Sequence, residues 1–584
     1  MKKTVKKLIS ALLVISLLFT GTTVSLAADG AASNRGIIFT SNLINGVLNA
    51  VFMSFGALFP KDFPTVDEYY EGESENFYEG TETFLDAPAK GAKWELGFGK
   101  TSMVPENLRD GSRKYYTGGY FTQKINGVYD DQGANAVALN DNSGRGTVVM
   151  VSVDGIGVNN SDVRTIRAEA ERKLKEMGVK SDIAAINISA THCHTVIDTQ
   201  GFGLGTLVLK LFQNLFSFLP FIEKSRSIDD EFYPLMIGAV SDAIVEAYTN
   251  MESGELYYFE TAGIGYSERN QNYLDDEYGY IFNKRYDKEG YQHVIACFKF
   301  VPDNKASAPT VLANLGGHPT TINRETELLS ADYPHYIEEK INAAGMNFAF
   351  IQGAQSPISV NKGGVTTPEI VEEVKAQIAA DPRVADYESV KTLGYEFARL
   401  IIDAQKNATR VEPMINVKMS EITVPMEYGL MELGAVSSLL GLTTVKDKSA
   451  PCGYSIVTEV GYLEIGTDII MLTVPGELIP QLVYGNVVDA SESYLGTDWE
   501  LDCTVDLIDK DKTVLVMGLC NDAIGYIIPD NDFAPFIADS LWNTELGEKL
   551  FGKPQHHYEE MLSMGSKTGS TVMSAINTLV AEAN

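Results

Sequence analysis

The feature that most constrains the fold is a strand–helix–strand unit between residues 146 and 192. GTVVMVSVDG (146–155) is a run rich in β-branched residues that ends at a glycine, which is typical of a buried strand. The following NNSDVRTIRAEAERKLKEMGVKSD has Asn and Ser near its start and Gly178 near its end, which predicts a helix. IAAINISATH predicts the next strand. Because a helix connects the two strands, we expect them to be parallel and buried on both faces.

The same alternation returns in the second half of the chain. We therefore predict an α/β fold in which helices flank a large mixed β-sheet. Ligands of such sheets bind at the carboxyl ends of the strands, and here polar side chains follow five predicted strands. These side chains, which we expect to converge on one cleft, belong to His192 and His194, His318, Ser356, Glu477 and Tyr526.

Two imidazoles and a carboxylate among these residues indicate a metal site. His192, His318 and Glu477, with one position left open, would match the ligand pattern of a catalytic zinc ion. Taken singly each residue is ambiguous, because copper, iron or plain packing also explains paired histidines. We expect Glu477 to end a strand and open a helix, and a glutamate at the start of a helix is more often a helix cap than a ligand.

The N-terminal residues have the features of a bacterial secretory signal peptide. Several lysines precede the apolar run LISALLVISLLF, and a Ser-Leu-Ala cleavage site ends at residue 27. We therefore expect a secreted, extracellular protein in which residues 1–27 are removed. Residues 28–95 are predicted to be an irregular N-terminal segment with an acidic, tyrosine-rich linker, and residues 96–584 to be the catalytic domain.

The net charge of −32 argues against nucleic acid as a partner and against electrostatic attachment to anionic lipid. The five cysteines favour mostly buried free thiols, with Cys452 and Cys503 as a conceivable disulfide pair. No pattern in the sequence indicates an oligomeric state.

Residues 201–224 contain the apolar run GFGLGTLVLKLFQNLFSFLPFI, which we interpret as a lid-like insertion. Lys210, Gln213 and Asn214 lie in its middle, so we do not expect it to span a membrane. Leu207, Leu211 and Leu215 fall at helical spacing. Two interpretations stay open, a core helix and an apolar wall beside the site that touches a membrane or micelle surface.

Six segments together resemble the neutral, non-lysosomal ceramidases over residues 95–565. They follow the order and approximate gaps of that family, and the segments are SATHCHT, ERNQNYL, GGHPTTI, QGAQSPI, VPGEL and LCNDAIGYIIP. The resemblance implies a zinc-dependent amidase, with one Zn²⁺ per chain, that cleaves an N-acyl sphingoid base into fatty acid and free base. Because the sequence after GYIIP reads as the close of the catalytic domain, we expect no C-terminal immunoglobulin-like domain of the kind that many members carry.

The resemblance assigns roles residue by residue. The zinc ligands would be His192, His318, Glu477 and Tyr526, and the tyrosine is assigned by the resemblance alone. His194 would lie beside the metal and hydrogen-bond to the reacting groups, and Arg269 would bind substrate oxygens. Ser356 matches the catalytic nucleophile of the family, with a zinc-bound water as the competing nucleophile.

The segments that face the substrate depart from the family pattern. HTHSGPGG is replaced by HCHTVIDTQG, and GDVSPN by GAQSPI, whereas the metal-binding positions are kept. We therefore expect the amide-hydrolysis chemistry to be kept, with ceramide or a related N-acyl lipid as the substrate. The alternatives are a zinc esterase or peptidase on the same fold and a non-catalytic secreted lipid-binding protein.

Overall fold

The structure is a computed structural model that describes residues 33–59, 62–72, 74–219, 221–261, 281–283, 285–286, 294–322, 325–360, 367–534 and 558–583. Its helices are α1 Ser33–Gly56, α2 Val66–Tyr70, α3 Glu106–Arg109, α4 Asn160–Glu176, α5 Leu204–Leu215, α6 Phe232–Thr249, α7 Asp332–Ala343, α8 Pro368–Ala380, α9 Glu388–Ala404, α10 Gly429–Val436, α11 Gln481–Tyr484 and α12 Thr568–Ala583. Its strands are β1 Trp94–Ser102, β2 Tyr115–Tyr116, β3 Lys124–Ile125, β4 Gly127–Val128, β5 Gly133–Asn140, β6 Thr147–Val153, β7 Ile183–Ala190, β8 Glu252–Glu260, β9 Ile281–Asn283, β10 Ala296–Pro302, β11 Thr310–Leu315, β12 Leu328–Leu329, β13 Asn347–Gln352, β14 Ile358–Val360, β15 Thr409–Arg410, β16 Ile415–Pro425, β17 Thr443–Lys446, β18 Tyr454–Ile465, β19 Ile469–Thr473, β20 Glu477–Leu478, β21 Thr513–Met517 and β22 Tyr526–Ile527.

Two mixed sheets form the centre of the molecule. A nine-stranded sheet has the order β13-β11-β10-β8-β1-β5-β6-β7, with β15 also paired to β8. A five-stranded sheet has the order β16-β18-β19-β21, with β17 also paired to β18. One apolar cluster contains side chains from both, including Phe298 and Leu312 of the first and Met471 and Leu515 of the second. The two sheets therefore pack face to face.

Helices cover the outer faces of this sandwich. Side chains of α4 and α6 pack on one half of the nine-stranded sheet, and those of α7, α8 and α9 on the other half. The outer face of the five-stranded sheet carries α10 and α12. The resulting order of layers is helices, sheet, sheet, helices, which confirms an α/β fold with helices around a mixed β core.

The predicted strand–helix–strand unit is β6, α4 and β7. The strands pair in parallel, and Gly178 has a φ of +74° just after the helix. Successive β6 residues face opposite layers, because Val148 and Met150 point to the second sheet and Val149 and Val151 point to the helices. Burial on both faces explains the uninterrupted apolar run of this strand.

The N-terminal segment differs from the expectation of irregular structure, because residues 33–56 form α1. The Asn49 side chain is accommodated within a helix–helix contact. Its Nδ2 donates to the carbonyl of Glu427 at 3.0 Å, and its Oδ1 accepts from the N–H of Gly429 at the start of α10. The acidic linker also lies against the domain, since the Tyr69 hydroxyl donates to Glu421 of β16 at 2.9 Å.

Two further expectations can be compared with the structure. All five cysteines are free thiols, so the conceivable pair of Cys452 and Cys503 is not formed. Among the described helices, none is both long enough and apolar enough to cross a lipid bilayer.

Candidate metal centre

His192 reaches the site from the carboxyl end of β7, which stops two residues earlier. Its backbone has a φ of +67°, an uncommon value for a residue with a side chain, and this turns the ring out of the strand direction. Nδ1 donates to the carbonyl of Ile156 at 2.7 Å. The other nitrogen, Nε2, lies 3.3 Å from Oε2 of Glu477. The carbonyl therefore fixes the tautomer whose Nε2 lone pair faces the cluster.

His318 is held in the same way from the loop after β11. A backbone bridge pairs it with Ser359 of β14, and its N–H donates to the carbonyl of Ile358 at 3.0 Å. Its Nδ1 contacts the same carbonyl at 2.9 Å. Its Nε2 lies 3.0 Å from Oε2 of Glu477. Both imidazoles thus present Nε2 to one carboxylate oxygen.

Glu477 and Tyr526 arrive from the second sheet. The chain leaves the ends of β19 and β21 and forms the short parallel pair β20 and β22, in which Glu477 is the register partner of Tyr526. The expectation that Glu477 opens a helix is wrong, because α11 begins four residues later at Gln481. A short parallel ladder places a carboxylate and a phenol side by side on one edge.

The three residues fit a metal ion. One ligand atom each from His192, His318 and Glu477 lies within 4.8 Å of the others, and all three side chains are buried. Burial lowers the pKa of His192 to about 4, so its imidazole is neutral at physiological pH. Burial alone would raise the pKa of Glu477, but the adjacent imidazoles lower it below its usual range. Neutral imidazoles and an ionised carboxylate are the forms that bind a divalent cation.

Tyr526 completes this side of the cluster as a neutral phenol. Burial and the neighbouring Glu477 raise its pKa well above the usual range. A hydrogen bond from Tyr526 contributes to the lowered pKa of Glu477. The predicted fourth ligand is thus adjacent to Glu477, and its ligand role stays a prediction.

A cavity opens directly onto the cluster. Its polar end contains the side chains of His192, His194, Glu477 and Tyr526. The remaining wall is mostly apolar and includes Phe121, Phe202, Met431, Leu440, Leu442, Leu562 and Met564. A polar end next to candidate metal ligands and an apolar wall suit a ligand that carries one polar reacting group on a long apolar chain.

His194 lines this cavity next to the cluster. Its ring centroid is 4.9 Å from that of His192 and 5.3 Å from that of Tyr120. A Cβ at Gly119 would overlap with the His194 ring, so only glycine allows the chain to pass so close to it. The predicted position beside the metal site is therefore observed, whereas a hydrogen-bonding role toward substrate stays a prediction.

Ser356 contacts the short strand β20, which carries Glu477. Its N–H donates to the carbonyl of Leu478 at 3.1 Å, and its side chain is fully buried. Its Oγ has no hydrogen-bond partner within the described part of the chain. The neighbouring Gln355 donates from Nε2 to Oε2 of Glu477 at 3.3 Å. The nucleophilic role of Ser356 remains a prediction.

Sequence reasoning missed some residues at the site. Gln355 belongs to the segment QGAQSPI, but only the folded structure shows its contact with Glu477. Asn159 and Gln200 form a polar patch in the cavity wall, where Gln200 Nε2 donates to Asn159 Oδ1 at 2.9 Å. Nothing in the sequence indicated that these two residues, 41 positions apart, would be in contact. Arg269, the predicted substrate-binding residue, lies outside the described residues.

Two solved structures share the fold. The neutral ceramidase from Pseudomonas aeruginosa matches with a TM-score of 0.54 and 14% identity, over 84% of this chain and 74% of that chain. A ceramidase complexed with C2 matches with a TM-score of 0.54 and 13% identity, over 84% of this chain and 75% of that chain. No protein-family model and no curated protein matches the sequence. The resemblance inferred from the six segments is therefore confirmed for the fold.

Proposed function

We propose that this chain, which has the neutral ceramidase fold, is a secreted zinc-dependent amidohydrolase. Its substrate would be ceramide or a related N-acyl lipid, which it would cleave into a fatty acid and a free amine. The observation that carries the proposal is the buried cluster of His192, His318 and Glu477 at the polar end of an apolar cavity. The solved ceramidases of the same fold support this choice of reaction.

Different residues would bind the metal, orient its ligands and bind the acyl chain. A zinc ion held by His192, His318, Glu477 and Tyr526 would polarise the amide carbonyl and lower the pKa of water. The carbonyls of Ile156 and Ile358 keep the two imidazoles in the ligand tautomer. The apolar wall would bind the acyl chain and exclude water from the scissile bond.

Proton transfer falls to groups that line the cavity. His194 lies next to the cluster and can pass a proton to the departing amine. Tyr526, kept neutral by burial, can hold a proton at its hydroxyl. Two nucleophiles stay under test, the Ser356 hydroxyl and water. Arg269 is proposed to bind substrate oxygens.

Export is the second part of the proposal. Residues 1–27 support it through the basic start, apolar run and cleavage site of a signal peptide. An extracellular location matches the strongly negative charge and a substrate that resides in membranes. The N-terminal sequence of protein recovered from the medium tests this, and retention of residues 1–27 on an intracellular product would refute it.

The direct test is a substrate panel read by mass spectrometry for released fatty acid. N-acyl sphingoid bases and other N-acyl lipids are incubated with the wild type and with Glu477→Gln, beside matched esters and peptides. We expect amide cleavage that a chelator abolishes and that Glu477→Gln lowers at least about a hundredfold. Cleavage of the esters or peptides alone would establish the alternative hydrolases, and binding without cleavage would establish a lipid-binding protein.

A further inference from the structure

Helix α5 packs on the protein through its polar side chains Lys210 and Asn214. Lys210 is buried, and its Nζ donates to Oδ1 and Oδ2 of Asp230 at 2.7 and 2.6 Å. Asn214 is buried as well, and its Nδ2 donates to the carbonyls of Ser225 and Ser437 at 2.8 Å each. These contacts fix the rotation of the helix about its axis.

The apolar side chains of α5 consequently face outward. Leu204, Val208 and Phe212 repeat every fourth residue on one face, and Leu209, beside them, is 67% exposed. The loop after the helix continues the surface with Phe218 at 67% and Phe221 at 77% exposure. An ordinary surface helix shows the opposite arrangement, with apolar side chains inside.

This apolar face begins at the mouth of the cavity. Phe121 and Phe202 both line the cavity, and their ring centroids lie 5.7 Å apart. Leu204, the first residue of α5, donates its N–H to the carbonyl of Phe121 at 2.7 Å. The Asp198 carboxylate fixes the connecting loop by accepting from the N–H groups of Gly201 and Gly203. An apolar ligand would thus pass from this face into the cavity along the Phe121 and Phe202 side chains.

We infer that the exposed face of α5, together with the Phe218 and Phe221 side chains, docks on a zwitterionic lipid surface. The inference rests on the proposed function, because a lipid amide substrate resides in such a surface. Side chains that stand so far out of the protein suit insertion into a fluid apolar phase. The net charge of −32 favours an uncharged or zwitterionic surface over an anionic one. With 12 residues, α5 is too short to cross a bilayer, and we place it in the interface plane.

The test is flotation of the full mature protein with phosphatidylcholine vesicles that contain no substrate. Leu209→Gln/Phe212→Gln removes two outward apolar side chains that do not line the cavity. Met177→Gln/Leu495→Gln is the matched control, since both residues are exposed apolar side chains outside α5. Thermal unfolding followed by circular dichroism verifies that both variants are folded.

We expect the wild type and the control to float with the vesicles and the α5 variant to bind about tenfold more weakly. Equal flotation of the two variants, or no flotation of the wild type, would overturn the inference. So would a wild-type dimer that the α5 substitutions convert to monomer, because a second copy would then cover the face. Because the vesicles contain no substrate, flotation measures lipid binding alone. A failure of the proposed reaction would appear in the substrate panel and would not change the flotation result.

Discussion

At the scale of single residues, His192 combines a proposed ligand role with an unusual backbone conformation. Its φ of +67° is sterically costly for any residue that carries a Cβ, and such conformations are often kept at functional sites. In return the ring leaves the strand direction, so that Nδ1 meets Ile156 and Nε2 meets Glu477. The local strain and the position of the His192 ring beside Glu477 thus both follow from one backbone turn.

This strain predicts different effects for two substitutions that both remove the ring. In metal-free protein, His192→Gly should be more stable than His192→Ala by about 1 kcal/mol, because glycine adopts a positive φ without a steric penalty. Urea unfolding of the two variants measures the difference. A more stable alanine variant would contradict the strained conformation, and the same pair at His335 serves as the helical control, where alanine should be favoured.

Ser356 offers a second prediction at this scale. Ser356→Ala should abolish measurable amide hydrolysis if the serine is the nucleophile, while the protein retains its metal, because Ser356 hydrogen-bonds to Leu478 and is not a proposed ligand. Hydrolysis and bound zinc are measured on the same preparation. A residual rate would identify water as the nucleophile, a complete loss would favour the serine, and an unchanged rate would remove Ser356 from the catalytic groups.

Residue patterns could predict the cluster only in part. The strand ends identified His192, His318 and Glu477, because a buried apolar run followed by a polar side chain is visible in sequence. The contact between Gln355 and Glu477 could not be predicted, since 122 positions separate them and their approach depends on the packing of two sheets. The family resemblance, and not the pattern, added Tyr526.

At the scale of elements, α4 begins against a buried carboxylate of a distant segment. Oδ1 of Asp522 accepts the N–H of Asn160 at 3.0 Å and the N–H of Ala523 at 2.8 Å. Burial raises the pKa of Asp522 from 3.8 to about 7. The folded protein therefore favours the protonated carboxyl, whereas the unfolded chain releases this proton at a lower pH.

The sign of the resulting pH dependence follows from linkage. The contribution of Asp522 to stability is fully present below about pH 4 and is lost as the pH rises through about 7. Asp522→Asn, which keeps the accepting oxygen and has no charge, should gain on the order of 2–4 kcal/mol relative to the wild type between pH 4 and pH 7.5. Urea unfolding at both pH values measures this gain.

A suitable control is Asp511→Asn, on the exposed surface, which should follow the wild type at both pH values. A constant difference between wild type and Asp522→Asn across the pH range would contradict a buried carboxyl with a raised pKa.

Element boundaries also show what sequence could and could not predict. Lys210 and Asn214 argue from sequence against a membrane-spanning helix at 201–222, and in the structure both side chains are buried. Their orientation toward the protein could not be predicted, because the partners Asp230 and Ser437 come from other segments. The predicted apolar stripe of Leu207, Leu211 and Leu215 is half-buried. The more exposed stripe next to it consists of Leu204, Val208 and Phe212.

At the scale of the whole molecule, the site exists only where two sheets meet. His192 and His318 follow strands of the nine-stranded sheet, and Glu477 follows a strand of the five-stranded sheet. The sequence predicted parallel pairs and a mixed α/β core but not the face-to-face packing of two sheets. Strands buried on both faces read as the same apolar runs whether a helix or a second sheet covers them.

The central claim is that these two sheets bring one metal site together, and bound zinc per chain tests it most directly. The wild type, His318→Ala and His335→Ala are purified identically, and elemental analysis is paired with fatty acid release from an N-acyl sphingoid base. His335 is a suitable control because it lies in α7, where its ring contacts Tyr336. We predict about one zinc per chain in the wild type and in His335→Ala, and loss of both zinc and hydrolysis in His318→Ala. Full zinc content in His318→Ala, or hydrolysis by a wild type that binds no metal, would contradict the account.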